Sequence, residues 1–162
     1  MLSEILSVLN LSTMTLSTIG LDNQPHAAAV YFATDEDAFK FFFQNKKSLE
    51  QKPSNALALY FFSDPSSQHS QDLIHNPLAA ITIQPDTYAW QDIRGLQMRG
   101  VVEIIPPSDL WEKAWFFYQQ KFPFVLSLKP IVKRNLFYQF KPNWMRWIDN
   151  RKRLGYKKEW HL

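Results

Sequence analysis

The sequence predicts a mainly β fold: an antiparallel barrel of six to eight strands with a few short helices packed outside it. Three observations predict it. Short runs of alternating or β-branched and aromatic residues recur along the chain, separated by turn signals at Gly20, Asp64-Pro65 and Asn76-Pro77. Strands and helices do not alternate regularly, which excludes a parallel nucleotide-binding sheet. Hydrophobic residues form 46% of 162 residues and charged residues only 20%, so one sizeable core is available and a disordered chain is excluded. At this length one domain spanning residues 1–162 is expected.

Apolar residues at positions 2, 5, 6 and 9 predict an amphipathic helix over residues 3–9, with Ser3 as its N-cap. Glu4 and the lack of a basic stretch distinguish it from a signal peptide. Residues 13–19 alternate as a strand. A turn over 20–23 and a second extended run over 27–33, opened by Pro25, make a hairpin. After a turn at 35–37, the aromatic run 39–43 reads as a third strand. Residues 45–55 are polar and read as an excursion with a short helical turn.

Residues 57–62 hold two aliphatics and three aromatics and read as strand. A turn over 63–67 leads into a helix over 67–75, ended by Asn76-Pro77. Residues 78–83 are a buried strand. Residues 93–105 are a long one, marked by Gly95 and Gly100 as a strand with a bend or close backbone approach. Ser108 caps a helix whose Leu110, Trp111, Ala114, Trp115 and Tyr118 share one stripe, and Pro123 ends it. Residues 124–128 form a further helical turn. Two final strands, 136–140 and 144–148, are joined through Lys141-Pro142-Asn143, and the tail 151–162 is basic and aromatic.

The composition excludes several chemistries. Without cysteine there is no disulfide, thiol nucleophile or cysteine-ligated metal. No glycine loop of the dinucleotide or nucleoside-triphosphate type is present, nor a zinc-protease helix or nucleophile elbow. His69 and His75 are six apart, on different faces of a helix, and do not share a metal. Apolar runs fall short of the ~18 residues a membrane span needs, and a cytoplasmic location is expected. Net charge is +3, yet residues 121–162 carry eleven basic and two acidic side chains, which points to an anionic partner.

One constellation carries chemistry: Phe62-Ser63-Asp64-Pro65-Ser66-Ser67-Gln68-His69, a turn of hydroxyls and amides running from a strand into a helix N-terminus. Such a turn converges several donors on one point and can hold a phosphate monoester without a glycine loop. The same residues also read as an ordinary serine-rich turn that caps a helix.

This segment, in the order strand, SDPSSQHSQDL, NP, strand, resembles the FMN-binding split barrels of the pyridoxamine 5′-phosphate oxidase-like superfamily. Thr15-Leu16-Ser17-Thr18 with Pro25-His26-Ala27-Ala28 looks like its first hairpin, and Ile93-Arg94-Gly95-Leu96-Gln97-Met98-Arg99-Gly100-Val101 like its central strand. Lys121-Phe122-Pro123 and Leu154-Gly155-Tyr156-Lys157-Lys158-Glu159-Trp160 resemble a small general-stress or uncharacterised bacterial subgroup.

The resemblance implies a split β-barrel homodimer. FMN would lie at its interface, with the phosphate held by Phe62, Ser63, Ser67, Gln68 and His69. It implies a flavin ring against residues 28–32 and Gln97, and residues from the partner copy, here the tail around 151–158 with Trp147 and Trp160, completing the site. The implied activity is an FMN-dependent oxidoreductase or flavin reductase acting on a small organic substrate. Deazaflavin in place of FMN, a haem held by His161, or a cofactor-free stress-response module are the alternatives, and nucleic-acid binding by the tail ranks below them.

The sequence departs from the oxidases where they carry cations. Ala28 and Ala33 stand for an arginine and a lysine beside the second strand, Gln68 and His69 for an Arg-Lys pair. Arg153-Leu154-Gly155 stands near the place of a substrate-binding Arg-Leu-His. Vitamin B6 oxidation is therefore not expected. Residues 39–55 exceed the usual loop and read as a lid or interface element.

Overall fold

Alternation along the chain builds one curled antiparallel sheet. The computed structural model describes residues 1–45, 57–132 and 134–162. Its elements in order are α1 (Leu2–Leu9), β1 (Thr13–Ile19), β2 (Pro25–Tyr31), β3 (Ala33–Thr34), α2 (Glu36–Gln44), β4 (Leu59–Ser63), α3 (Gln68–His75), β5 (Leu78–Ile83), β6 (Arg94–Ile104), α4 (Asp109–Lys121), α5 (Lys129–Val132), β7 (Leu136–Asp149) and β8 (Lys157–His161). The described strands run β2-β1-β5-β6-β7-β4-β3, all antiparallel, and form a half-barrel. β7 is the long spine. One edge pairs with β6 throughout; the other is shared, with β4 on residues 136–140 and β8 on residues 144–148.

The inner face follows from the period of two. Met14, Leu16, Ile81, Ile83, Leu96, Met98, Met145 and Trp147 interleave inside the curl, closed by Ile5, Val8 and Leu9 of α1 and by Phe39, Phe42 and Phe43 of α2. A second cluster lies outside. There Ala114, Tyr118 and Phe122 cover Tyr60, Phe62 and Phe137 of β4 and β7. α4 therefore shields one half of the outer surface. The other half, the outer faces of β2, β1, β5 and β6, is met among the described residues at the end of β2, where Phe122, the C-cap of α4, and Phe124 of the helical turn after it lie edge-on to Tyr31, and it leaves Ile19 and Leu78 exposed. No described helix is long and apolar enough to cross a membrane.

Four expectations change. α1 begins at Leu2 behind Met1, with no side-chain cap from Ser3. Residues 39–43 are helical: Phe39, Phe42 and Phe43 fall at i, i+3 and i+4, and Asp35 accepts the Ala38 N–H as N-cap. β7 does not stop at Lys141-Pro142-Asn143. It continues through a bulge, because proline is tolerated where a ladder is already interrupted. The tail folds back as β8 on the edge of β7. The helical turn expected within 45–55 lies outside the described residues apart from Asn45, the C-cap of α2.

Both strand glycines are explained by contact. A Cβ on Gly95 would lie 2.6 Å from the Ile83 carbonyl oxygen, and one on Gly100 would lie 2.1 Å from that of Lys141. The register shift between Arg99 and Gly100 marks the bulge.

Candidate functional site

The turn after β4 gathers three of the predicted side chains. Ser63, last in β4, points to the inner face, and Ser67 is the N-cap of α3. Their hydroxyl oxygens are 2.9 Å apart. The His69 Nε2 lies 2.5 Å from the Ser63 hydroxyl and 3.2 Å from that of Ser67, which also donates to the Ser70 hydroxyl at 2.9 Å. Burial pushes the His69 imidazole below its ordinary value, a shift that the nearby Asp72 charge only partly opposes. The ring is therefore neutral at pH 7, and the cluster is a knot of uncharged groups at a helix N-terminus.

The other predicted residues lie elsewhere. Phe62 is one position from Ser63 and so faces the opposite side of β4. It stacks on Phe137 at 3.9 Å beneath α4 and meets Trp115 and Tyr118 edge-on. The Gln68 amide turns away from the turn and donates to Asp72 Oδ1 at 2.8 Å. Gln97 is on the outer face of β6, between Thr82 and Arg146, and its Oε1 accepts from Arg146 at 3.4 Å. Trp147 is wholly buried in the core, and Trp160 packs edge-on against Phe43. Arg151 is tied to Asp149 and Glu4.

Asp72 is the residue the sequence reading missed. It sits one turn after Gln68 on α3, is 3% exposed, and ties that helix to the first hairpin. Its Oδ2 accepts from the Thr18 hydroxyl at 2.7 Å and from His26 Nδ1 at 2.8 Å, while Gln68 bonds Oδ1. Burial alone would raise its pKa. The hydrogen bonds from Thr18, Gln68 and His26 outweigh that and hold it below the usual carboxylate range. The i, i+4 spacing of Gln68 and Asp72 was the available signal. Thus the predicted phosphate turn has an ionised carboxylate behind it and no lysine or arginine among its described contacts.

The uncovered half of the sheet carries a second polar grouping. Residues in register across its outer face form a row, Ala27, Ser17, Ala80, Arg99, Trp144, His161. The Arg99 and Arg146 guanidinium carbons lie 4.5 and 4.8 Å from the Trp144 ring centre. Arg146 is paired with Glu159 at 2.8 Å.

The sequence model of pyridoxamine 5′-phosphate oxidase matches residues 3–146. No curated protein sequence matches the chain. Among solved structures it is similar to a conserved hypothetical protein from Mycobacterium tuberculosis, with 20% identity and a TM-score of 0.69 over 95% of this chain and 87% of that one. It is similar to HutZ, a haem storage protein from Vibrio cholerae, with 14% identity and a TM-score of 0.66 over 86% of this chain and 88% of that one. General stress protein 26 from Bacillus anthracis gives 18% identity and a TM-score of 0.63 over 99% and 98% of the two chains. At these identities the likenesses concern the fold.

Proposed function

The chain belongs to the pyridoxamine 5′-phosphate oxidase family, and from that premise we propose that it is a homodimeric flavoprotein that binds FMN non-covalently and exchangeably. The observation that carries this reading is the convergence of Ser63, Ser67 and His69 at the N-terminus of α3. Two hydroxyls, an imidazole nitrogen and the first-turn N–H groups of an eight-residue helix are of the kind that hold a phosphate monoester. Their charge matches poorly, because His69 is neutral and Asp72 is anionic. The donors also satisfy one another and must be released before they can serve a ligand. Weak retention of FMN follows.

When bound, the flavin would supply hydride chemistry for a small organic substrate. This chain's own residues would hold its phosphate at the α3 turn and exclude water by pairing the uncovered sheet faces of two copies. A face that leaves Ile19, Tyr31 and Leu78 exposed supports such pairing. The test is the visible spectrum of the purified protein after addition of FMN, with its mass in solution. A perturbed flavin spectrum on a dimer is expected; an unperturbed spectrum at millimolar FMN overturns the reading.

One observation favours a second reading. His161 is exposed on β8, directly across from Trp144 and in the row that contains Arg99. His161 would hold a haem iron, and Arg99, two strands away on the same face, would meet its carboxylates. A Soret band that disappears in His161→Ala supports haem; no band with added haemin excludes it.

A further inference from the structure

We propose that the cleft on the uncovered sheet face is a binding site for a small aromatic carboxylate, with Arg99 as the group that recognises its charge. Three independent features coincide there. The first is the cleft itself, about 510 Å³, with an apolar floor that includes Ile19, Pro25, Leu78 and Ala80 and a hydroxyl from Ser17. That size and lining suit a small planar molecule.

The second is Arg99. Two carboxylates on these strands are engaged elsewhere, Glu103 with Lys141 at 2.6 Å and Glu159 with Arg146 at 2.8 Å. No ion pair to Arg99 is formed among the described residues, although the side chain is exposed and lines the cleft. It is not loose, because the guanidinium is stacked over Trp144 at 4.5 Å. A stacked guanidinium keeps its planar fork free at the edge, which matches a carboxylate bidentately. A single unpaired cation also matches a monoanion better than a phosphate dianion.

The third is the bulge. Arg99 pairs with Trp144 and Gly100 with Pro142, so Asn143 is the extra residue of β7, and it too lines the cleft. Bulges re-aim side chains next to functional sites. Here the bulge brings an amide to the mouth of the cleft beside the guanidinium. Its cost is a backbone approach that only glycine permits at position 100.

The site does not need the α3 turn, since Ser63, Ser67 and His69 do not line this cleft, and in the proposed dimer it would lie between the two paired faces. The experiment titrates the full chain, without FMN, with benzoate and with the uncharged isostere benzamide, by calorimetry. Benzoate is expected to bind about tenfold more tightly or better, as a hydrogen bond to a charged group predicts, and to weaken with added salt. Arg99→Gln should abolish the preference while lowering the melting temperature by no more than about 4 °C, the loss of its stack on Trp144. Asn143→Ala should reduce it by less. Equal binding of the two probes, no binding of either, or a preference that survives in Arg99→Gln overturns the proposal. A protein that discriminates benzoate yet leaves the FMN spectrum unperturbed would remove the flavin reading and leave this one standing.

Discussion

Asp72→Asn is expected to act in opposite directions on stability and on flavin affinity. The carboxylate is almost fully buried and accepts three hydrogen bonds, of 2.7, 2.8 and 2.8 Å. Asparagine keeps the shape and one oxygen. The Thr18 and His26 bonds then go to a neutral acceptor, and the new amide opposes the Gln68 donor. Bonds to a charged group are worth about 1.5–3 kcal/mol each against about 0.5–1.5 for neutral ones, so a net loss of about 2–4 kcal/mol is expected after the relief of burying a charge. For a chain of this size that is a fall of about 4–16 °C in melting temperature. Meanwhile the α3 turn loses the negative charge behind it, and FMN affinity should rise by about three- to tenfold. Thermal scans with and without FMN read both quantities. A loss below about 1 kcal/mol would refute the assignment of Asp72 as the tie between α3 and the first hairpin. An unchanged FMN affinity would refute the electrostatic account of weak binding.

Further outcomes follow from the same geometry. Gln68→Arg, which restores a cation beside the turn, should tighten FMN by about tenfold and leave riboflavin unaffected, as competitive fluorescence quenching would read. His69 has a folded pKa below its unfolded one, so the unfolded chain binds more protons and stability is complete only above about pH 6.5. Melting temperature should fall from pH 7.5 to 5.5, and His69→Gln should flatten that slope; the depressed Asp72 adds its own loss only further down, in the carboxylate range. Gly100→Ala places a Cβ 2.1 Å from the Lys141 carbonyl oxygen and should cost about 2–3 kcal/mol in urea unfolding, whereas Gly155→Ala, with open space around it, should cost only its positive φ.

The fold was legible wherever burial on one face imposes alternation. β1 and β5 fall on their expected residues because Met14-Leu16-Thr18 and Ala79-Ile81-Ile83 each line the inside of the sheet. The aromatic run at 39–43 misleads because phenylalanine favours strands, although Asp35 as cap, with Glu36 and Asp37 in the first turn, is a helix start readable in the sequence. Pro142 hid the continuity of β7, since proline ordinarily ends a ladder and nothing local reveals that Gly100 stands opposite. β8 was missed because Lys157, Lys158 and Glu159 read as a solvated tail, whereas charges are also what protects an edge strand.

The site was half legible. Ser63, Ser67 and His69 belong to one turn, so local pattern brought them together. The orientation of Gln68 depends on Asp72, Thr18 and His26, and two of those lie on another hairpin. His26 is bonded to Asp72 through Nδ1, a contact across 46 residues of sequence. Arg99 and Asn143 become neighbours only through the bulge in β6 and β7, a feature of register that the sequence does not display.

The claim on which the account turns is that the neutral Ser63–Ser67–His69 knot receives the phosphate of a flavin. Parallel titrations with FMN and with riboflavin, followed by quenching of flavin fluorescence, test it most directly. The account predicts weak, saturable binding of FMN, clearly weaker binding of riboflavin, and loss of that difference in the double substitution Ser67→Ala with His69→Ala. Equal affinity for the two flavins, or a difference that persists in the double variant, would contradict it.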